Sequence, residues 1–327
     1  MMYKKNKDNI VIFSLEHENK KENLLGQNFA KSLLEIITKL EKESELKGVI
    51  ILFTNNSSLS KYDVDSLIKF DKPDPCYEYI ESQNAILRRI EKINVPVVAA
   101  IDGSISGLNI GLALACNYRI STHKKALEFE FAEVKNGILP GYGSIARLTR
   151  IIGIEKSLNL LLNSYRFNVN EAIDFGFLDE FVSSKEDLIK RSIQCIKSNP
   201  NALQPWDRDN FEFPHGDAHS SKNAALVSVY PAMIRKKTRG NFPAPETTLN
   251  IIVEGSLVDF ETASRIESRF YTQLLMHKST KNIISANWFQ LKKIKSGASR
   301  PSSIPETSTQ KIGVLGAGLM GHGIAYV

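Results

Sequence analysis

One stretch constrains the fold of this chain more than any other: residues 94–147, where an apolar run is followed by two glycine turns. The apolar run, Val95–Ile101, has the length and composition of a strand and ends at an Asp-Gly turn. A segment of small residues, Gly107–Cys116, follows and predicts a helix. A glycine turn between a strand and a helix offers backbone N–H groups to an anion or a developing oxyanion. Because Glu133 lies just before the second turn, GILPGYG, we expect the chemistry between the two turns.

Strands and helices alternate on both sides of this stretch. Short runs rich in β-branched residues at Asn9–Glu16 and Gly48–Phe53 predict strands, the second buried on both faces. Helical spacing of apolar residues predicts amphipathic helices at Gly26–Leu46 and Tyr77–Ile93. The remaining predictions are strands at Tyr118–Ser121 and Phe177–Val182, and helices at Ser144–Ile152, Glu155–Asn163, Asn170–Phe175 and Lys185–Ser198. This alternation favours an α/β fold with a parallel component.

The chain changes character after residue 200. Residues 201–310 predict a linker that carries three or four helices, the clearest of them at Asp259–Met276. Residues 311–327 open with the apolar run KIGVL, which predicts a strand, and continue as the turn GAGLMG. A GxGxxG turn between a strand and a helix is the context expected of a dinucleotide fingerprint. The acidic ribose partner, expected about twenty residues further on, falls beyond Val327, so a glycine-rich tail that binds nothing remains the alternative.

Composition narrows the function classes. The 327 residues are 42% hydrophobic and 24% charged, as in an ordinary globular protein. The net charge of +6 is spread without a block of like charges, so we expect no nucleic-acid partner. The cysteines, Cys76, Cys116 and Cys195, and the six scattered histidines lack metal-ligand spacing, so we expect no metal. No segment reads as a signal peptide or a membrane span, which leads us to expect a cytoplasmic protein.

Three segments carry a family resemblance. VPVVAAIDG, ALACNYRIS and LPGYGSIARLTRIIG resemble the crotonase family of enoyl-CoA hydratases and isomerases. This resemblance implies a crotonase-like spiral of β-β-α turns over residues 1–200 and an acyl-CoA thioester as substrate, with no cofactor. QPWDRDNFEFP, the helix with Glu267 and Arg269, and the closing KIGVLGAGLMGHGIAYV resemble multifunctional bacterial fatty-acid oxidation α-subunits.

The second resemblance implies a layout and partners. It implies that residues 201–310 form a helical linker. It also implies that residues 311–327 form the first strand and the start of the first helix of a 3-hydroxyacyl-CoA dehydrogenase domain, whose Rossmann fold is incomplete here. NAD would bind only in a full-length relative, where Gly316, Gly318 and Gly321 correspond to its fingerprint. The implied function is fatty-acid β-oxidation, with a thiolase subunit or a second copy of the chain as partner.

The crotonase resemblance also implies site residues. Family members hold an enolate-like oxygen with two backbone N–H groups and handle water and the α-proton with two glutamates. The first backbone N–H donor corresponds to Tyr62, in the loop SKYD, where the family has Ala-Gly-Ala-Asp. The second corresponds to Leu108; here Leu108 and Asn109 stand where the family has glycines. The second glutamate falls on Glu133 and the first on Gly111. One acid/base group is worth about 10²–10⁴-fold in rate, so we expect weak hydration and an isomerisation through Glu133 alone.

Three alternatives stay open from the sequence. In the first alternative, Glu133 is a surface carboxylate without a catalytic role. In the second alternative, Gly107 serves only to let a helix pack closely on a strand. In the third, the whole domain is catalytically degenerate and serves to bind acyl-CoA or to scaffold a partner subunit.

Overall fold

The structure is a computed structural model that describes residues 2–14, 27–54, 64–298, 300–301, 303–304 and 307–326. It divides into two compact units, Met1–Ser285 and Ala286–Val327. The strands of the first unit are β1 (Met2–Lys5), β2 (Ile10–Ser14), β3 (Gly48–Phe53), β4 (Val97–Ile101), β5 (Ile105–Ser106), β6 (Tyr118–Thr122), β7 (Glu128–Glu130), β8 (Arg166–Asn168) and β9 (Glu180–Val182). Its helices are α1 (Gln27–Glu41), α2 (Val64–Leu67), α3 (Pro73–Glu91), α4 (Leu108–Leu114), α5 (Ser144–Ile152), α6 (Ile154–Asn163), α7 (Val169–Phe175), α8 (Lys185–Ser198), α9 (Ser221–Thr238), α10 (Pro243–Gly255), α11 (Phe260–Met276) and α12 (Lys278–Ile284).

The larger sheet has the strand order β1-β2-β3-β4-β6-β9. Neighbours from β2 to β9 pair in parallel, and β1, which the sequence did not predict, pairs antiparallel with β2 at the edge. Ile50 of β3 and Val98 of β4 are paired and fully buried, and they pack with Ile196 of α8. Burial of each such side chain contributes roughly 1.5–3 kcal/mol. The predicted α/β fold with a parallel component is confirmed.

A smaller sheet, in the order β5-β7-β8, was not predicted. Its strands are too short to show the alternation of apolar and polar residues that marks a strand in a sequence. Aromatic packing anchors it: the Phe129 and Phe167 rings stack at 5.3 Å, and Phe177 meets both rings edge-on. Its strands β5 and β7 lead into Gly107 at the start of α4 and into the segment that carries Glu133.

Helices α9 to α12 belong to the same compact unit as the larger sheet. Helix α11 packs on α3 and α5, and α10 packs on α5 and α6. Trp206 stacks on Phe260 of α11 at a ring distance of 4.8 Å. Arg88 of α3 forms a two-point ion pair with Asp207, with N–O distances of 2.6 and 2.9 Å. Much of the segment predicted as a linker is therefore packed against the α/β part of the molecule.

The second unit contains α13 (Leu291–Lys295) and α14 (Leu319–Tyr326). The strand predicted for KIGVL is wrong: residues 311–315 form no strand, and Ile312 and Leu315 are exposed. A strand needs a neighbour for its backbone N–H and C=O groups, and the described residues of this unit contain no second strand. Across the helices that the structure describes, none combines the length and apolar character needed to cross a membrane.

Candidate active site

The smaller sheet brings the start of α4 and the segment that carries Glu133 to one edge. Strands β5 and β7 are parallel, with Ile105 opposite Phe129 and Ser106 opposite Glu130. The chain leaves β5 into Gly107 and leaves β7 towards Glu133, three residues after the strand ends. Because parallel strands point the same way, both exits lie on the same edge of the sheet. The structure therefore places the start of α4 beside the segment that carries Glu133.

Gly107 sets the backbone of the first turn. Its φ of 60° and ψ of −129° lie in a region that is open to glycine and strained for other residues. The amides of Ile110 and Gly111 bond back to the Gly107 carbonyl at 3.0 and 3.4 Å. Leu108 is the first helical residue, a position where the N–H has no partner inside the helix. Gly107 therefore has a conformational role, and Leu108 N–H has the geometry of a donor at the start of α4.

Asn109, the next residue, carries a buried amide. Its side chain is 1% exposed, and neither Oδ1 nor Nδ2 finds a hydrogen-bond partner among the described residues. Burying an amide without hydrogen bonds costs roughly 1–3 kcal/mol by protein mutational data. The turn thus carries a polar group that lowers stability where the family has glycine.

Position 111, to which the resemblance assigns the family's first glutamate, is closely packed. A Cβ on Gly111 would stand 2.8 Å from Ser144 Oγ and 3.5 Å from the Cβ of Tyr142. Ser144 Oγ is itself held, because it donates to the Gly141 carbonyl at 2.5 Å. A longer side chain at position 111 would therefore require a shift of the turn that opens α5.

Glu133 is buried rather than exposed. Its side chain is 3% exposed, and its carbonyl accepts from the amides of Asn136 and Ile138 at 2.9 and 3.2 Å. The tight turn that follows ends at Gly137, whose φ of 84° is left-handed. Ile283 of α12 lies 2.8 Å from where a Cβ on Gly137 would stand, so this turn is packed closely. The alternative that Glu133 is a surface carboxylate is wrong, while its catalytic role remains a prediction.

Glu267 of α11 caps the turn beside Gly111. Its two carboxylate oxygens accept from the amides of Ile145 and Ala146 at 3.3 and 2.8 Å, in the first turn of α5. Burial raises the pKa of Glu267 to about 7, against the lowering effect of these amides and of two nearby arginines. Sequence reasoning used Glu267 only for the family resemblance and gave it no role.

A buried ion pair holds the same turn from the other side. Arg147 is 1% exposed, pairs with Glu91 at 2.5 Å, and donates through Nη1 to the carbonyls of Tyr142 and Gly143. Both of those residues have left-handed backbones, with φ of 62° and 65°. Burial raises the pKa of Glu91, whereas Arg147 and Arg88 oppose that effect. The turn is therefore fixed by charged groups from α3, α5 and α11.

Tyr271 is a further residue that the sequence did not single out. It is 3% exposed, and its hydroxyl has no hydrogen-bond partner within the described part of the chain. Its pKa is raised well above the ordinary value, first by burial and next by the negative charge of Glu133. The signal that was available is its spacing, four residues after Glu267 on one helix.

The other predicted residues lie elsewhere. Tyr62 is outside the described residues. Gly316, Gly318 and Gly321 lie in the second unit, where Gly316 has a φ of 104° and its carbonyl fills the space of a Cβ on Gly321. The amide of His322 donates to the Gly318 carbonyl at 2.9 Å. The turn is compact, and dinucleotide binding by it remains a prediction.

The cysteines give no sign of nucleophilic chemistry. Cys76, Cys116 and Cys195 are buried free thiols, and burial raises their pKa values to about 11, 12 and 11. A thiol becomes a nucleophile only when it is deprotonated, so these three groups are inert near neutral pH. Among the described side chains, no group of three His, Cys, Asp or Glu residues is arranged to hold a metal ion.

Sequence comparison identifies the class of protein that this fold and turn pair define. The model of the enoyl-CoA hydratase/isomerase family matches residues 6–204, well over half of the chain, and the chain therefore belongs to that family. It is also 26% identical over 321 residues to the fatty acid oxidation complex subunit alpha of Shewanella frigidimarina. That match covers 98% of this chain and 45% of the relative, so the chain spans less than half of the relative's length.

Solved structures agree on the fold. Human mitochondrial delta3-delta2-enoyl-CoA isomerase matches with a TM-score of 0.59 and 18% identity, over 90% of this chain and 98% of that chain. Enoyl-CoA hydratase from Bacillus halodurans matches with a TM-score of 0.58 and 21% identity, over 87% and 98%. The predicted crotonase-like α/β fold is thereby confirmed.

Proposed function

We propose that the chain is an enzyme that isomerises 3-enoyl-CoA thioesters to 2-enoyl-CoA thioesters and hydrates 2-enoyl-CoA only weakly. The observation that carries this proposal is the closed position at Gly111, where Ser144 Oγ occupies the space of a side chain. Glu133 is then the one acid/base group of the pair implied by the family. Its burial supports a role in chemistry rather than at the surface.

The reaction needs only one carboxylate. The thioester oxygen accepts hydrogen bonds from the amides of Leu108 and Tyr62, which stabilise the negative charge that develops there. Glu133 removes a proton from C2 of the 3-enoyl group, and the electron pair spreads over the dienolate. The same carboxyl group returns the proton to C4, so the double bond moves to C2–C3 and no net proton is consumed. Hydration needs a second acid/base group, because water must lose a proton while the α-carbon gains one.

We place this reaction in fatty-acid β-oxidation. The curated relative is named as the alpha subunit of a fatty acid oxidation complex, which supports a fatty acyl chain as substrate. It also supports a partner, either a thiolase subunit or a second copy of this chain. The isomerisation uses no cofactor, and NAD belongs to a dehydrogenase reaction of a longer relative. The buried free thiols fit the reducing conditions of the cytoplasm.

Kinetic assays of both reactions test this proposal. Isomerisation of a 3-enoyl-CoA is expected to exceed hydration of the matching 2-enoyl-CoA in kcat/KM. Glu133→Gln keeps the size of the side chain and removes the base, so isomerisation should fall by about 10²–10⁴-fold. Hydration at the level of isomerisation, or full isomerase activity in E133Q, would contradict the proposal.

A second candidate follows from the same closed position. In this candidate, the residues at positions 108, 109 and 111 abolish catalysis. The domain then binds acyl-CoA without converting it and serves as a scaffold for a partner subunit. Calorimetry with a saturated acyl-CoA distinguishes the two. Binding without turnover of either substrate supports this candidate, and an absence of binding removes its ligand part.

A further inference from the structure

A polar cavity of about 470 Å³ lies where strand β6 begins. Its walls come from the start of β6, the end of α5 and the segment that begins at Leu203. Parallel strands begin at one edge of a sheet and end at the opposite edge. The chain reaches Gly107 and Glu133 after the ends of β4 and β6, so the cavity lies at the other edge of the larger sheet. It shares no lining residue with the candidate active site.

The cavity is lined by more positive than negative groups. Its cations are the guanidinium groups of Arg119, Arg150 and Arg208. The first two side chains are 5% and 2% exposed, whereas Arg208 is exposed. The carboxylates of the lining are Asp179, which lies 3.3 Å from Arg119 Nη2, and Glu212, which is exposed. Arg119 is therefore paired, and the buried part of the excess positive charge lies on Arg150.

Arg150 has no carboxylate within ion-pair distance among the described residues. Its hydrogen bonds go to backbone carbonyls, those of Ala146, Gly255 and Val258, at 3.3, 3.0 and 2.8 Å. Burial lowers the pKa of Arg150 to about 10, although the negative charges of Asp259 and Glu267 raise it. A buried charge is costly unless an opposite charge pairs with it, so an anion in the cavity offsets part of that cost.

The wall at the start of β6 also carries an amide donor without an acceptor. Asn117 lines the cavity, and its Oδ1 accepts from the Val97 amide at 2.8 Å. Its Nδ2 is buried and makes no hydrogen bond within the part of the chain that the structure describes. Such a group in a native protein requires an explanation, and an oxygen atom of a bound ligand supplies one.

The other walls fit the body of a small organic molecule. They are apolar at Ile151, Leu203, Pro205, Phe211 and Pro214. The segment that forms most of them is fixed in place, because Gln204 Nε2 donates to the Ala115 carbonyl at 2.7 Å. The cavity is larger than a bare phosphate ion needs, and its volume falls within the range of roughly 300–1,000 Å³ that is usual for ligand pockets.

We propose that this cavity binds a small organic dianion, a phosphate ester or a dicarboxylate, through the guanidinium groups of Arg150 and Arg208 and the Asn117 amide. The planar guanidinium group matches the paired oxygens that both kinds of anion present. This inference goes beyond the proposed function, since it uses none of the residues assigned to isomerisation and requires no turnover. A cavity that holds only water is the alternative.

Calorimetry on the full chain tests the cavity with three probes: ribose 5-phosphate, uncharged ribose and succinate. A dissociation constant below about 1 mM is expected for at least one of the two dianions. Ribose is expected not to bind, because it lacks the charge that the arginines recognise. Tighter binding of ribose 5-phosphate identifies a phosphate-ester site, and tighter binding of succinate identifies a dicarboxylate site.

Two variants alter the cavity with little change elsewhere. Arg208→Gln removes an exposed guanidinium group whose hydrogen bond to the Leu203 carbonyl is long, at 3.5 Å. Asn117→Asp keeps an oxygen acceptor for the Val97 amide and replaces the donor Nδ2 by an oxygen atom. Each variant is expected to weaken binding of the dianion by about 10- to 100-fold, the range for a hydrogen bond to a charged group.

Arg269→Gln is the matched control. Its guanidinium group pairs with Glu254 at 3.0 Å, is 54% exposed and lies outside the cavity. R269Q loses the same charge as R208Q, so the affinity for the dianion should stay at the wild-type value. Thermal unfolding of each unliganded variant checks its fold, and R208Q should melt at the wild-type temperature, because surface substitutions change stability little.

Four results would overturn the inference. Wild type binds neither dianion in the first, and it binds ribose as tightly as ribose 5-phosphate in the second. In the third, a folded R208Q binds the dianion as tightly as wild type does. In the fourth, R269Q loses as much affinity as R208Q, which would show attraction by net charge rather than a site.

Discussion

At the scale of single residues, the proposed function depends most on Gly111. The crotonase resemblance assigns a carboxylate to position 111, and a Cβ there would stand 2.8 Å from Ser144 Oγ. The proposal therefore couples position 111 to Ser144. This coupling predicts that restoring the carboxylate alone is not enough.

Gly111→Glu is expected to destabilise the protein by about 1–3 kcal/mol, the usual cost of overpacking a core. Adding Ser144→Gly removes the atom nearest to the new Cβ and should recover part of that loss, as measured by denaturant unfolding. The double variant should also hydrate 2-enoyl-CoA faster than wild type, because it again has two carboxylates. A folded double variant that binds acyl-CoA and gains no hydratase activity would contradict this view of Gly111.

The sequence predicted these residues unevenly. Gly111 and Glu133 were assigned because the crotonase resemblance places the family's two glutamates at these positions, and both assignments remain predictions. Ser144 and Tyr271 were not assigned roles, because contacts between segments distant in the chain leave no trace in spacing. The polar character of Asn109 was visible, whereas its lack of partners depends on the packing around it.

At the scale of elements, α11 organises the turn between Gly141 and α5. Glu267 caps α5, Ser268 bonds α3, and Phe260 stacks on Trp206. The helix itself was predicted from its apolar spacing, with Asp259–Met276 expected and Phe260–Met276 found. The small sheet was missed, because strands of two or three residues are held by their neighbours rather than by their own pattern.

Glu267 makes stability depend on pH. Its pKa is about 7 in the folded chain and near 4.5 when exposed, so the folded state binds more protons between these values. Its contribution to stability is therefore fully present below pH 4.5 and is lost as pH rises through about 7. The difference corresponds to roughly 3 kcal/mol.

Glu267→Gln, which cannot ionise, provides the comparison in denaturant unfolding at a series of pH values. The two proteins should differ least at low pH, and E267Q should become the more stable one as pH rises past neutrality. Parallel stability curves for the two proteins would show that Glu267 does not titrate in this range.

At the scale of the whole molecule, the segment matched by the family model is smaller than the compact unit. The match ends at residue 204, whereas the unit continues to Ser285 and includes the partners of several buried charges. Asp207 pairs with Arg88, and Glu267 caps α5. The helices were predictable from spacing, but their packing on residues 1–200 was not, since linker composition gives no contact information.

A chain cut after Gln204 is expected to lose cooperative unfolding, because removing one partner of a buried charged pair costs about 3–5 kcal/mol. A chain cut after Ser285 keeps every contact within the first unit and should retain cooperative unfolding. Both can be followed by circular dichroism on heating. Equal melting temperatures for the two shortened chains would show that α9–α12 contribute little.

The ratio of two specificity constants of the wild-type protein tests the proposed isomerase function directly. Isomerisation of a 3-enoyl-CoA and hydration of the 2-enoyl-CoA of equal chain length should be measured under the same conditions. On the proposed function, Glu133 is the one acid/base carboxylate and position 111 is closely packed, so isomerisation is expected to exceed hydration by about 10²-fold or more. A ratio near one, or hydration in excess, would contradict it.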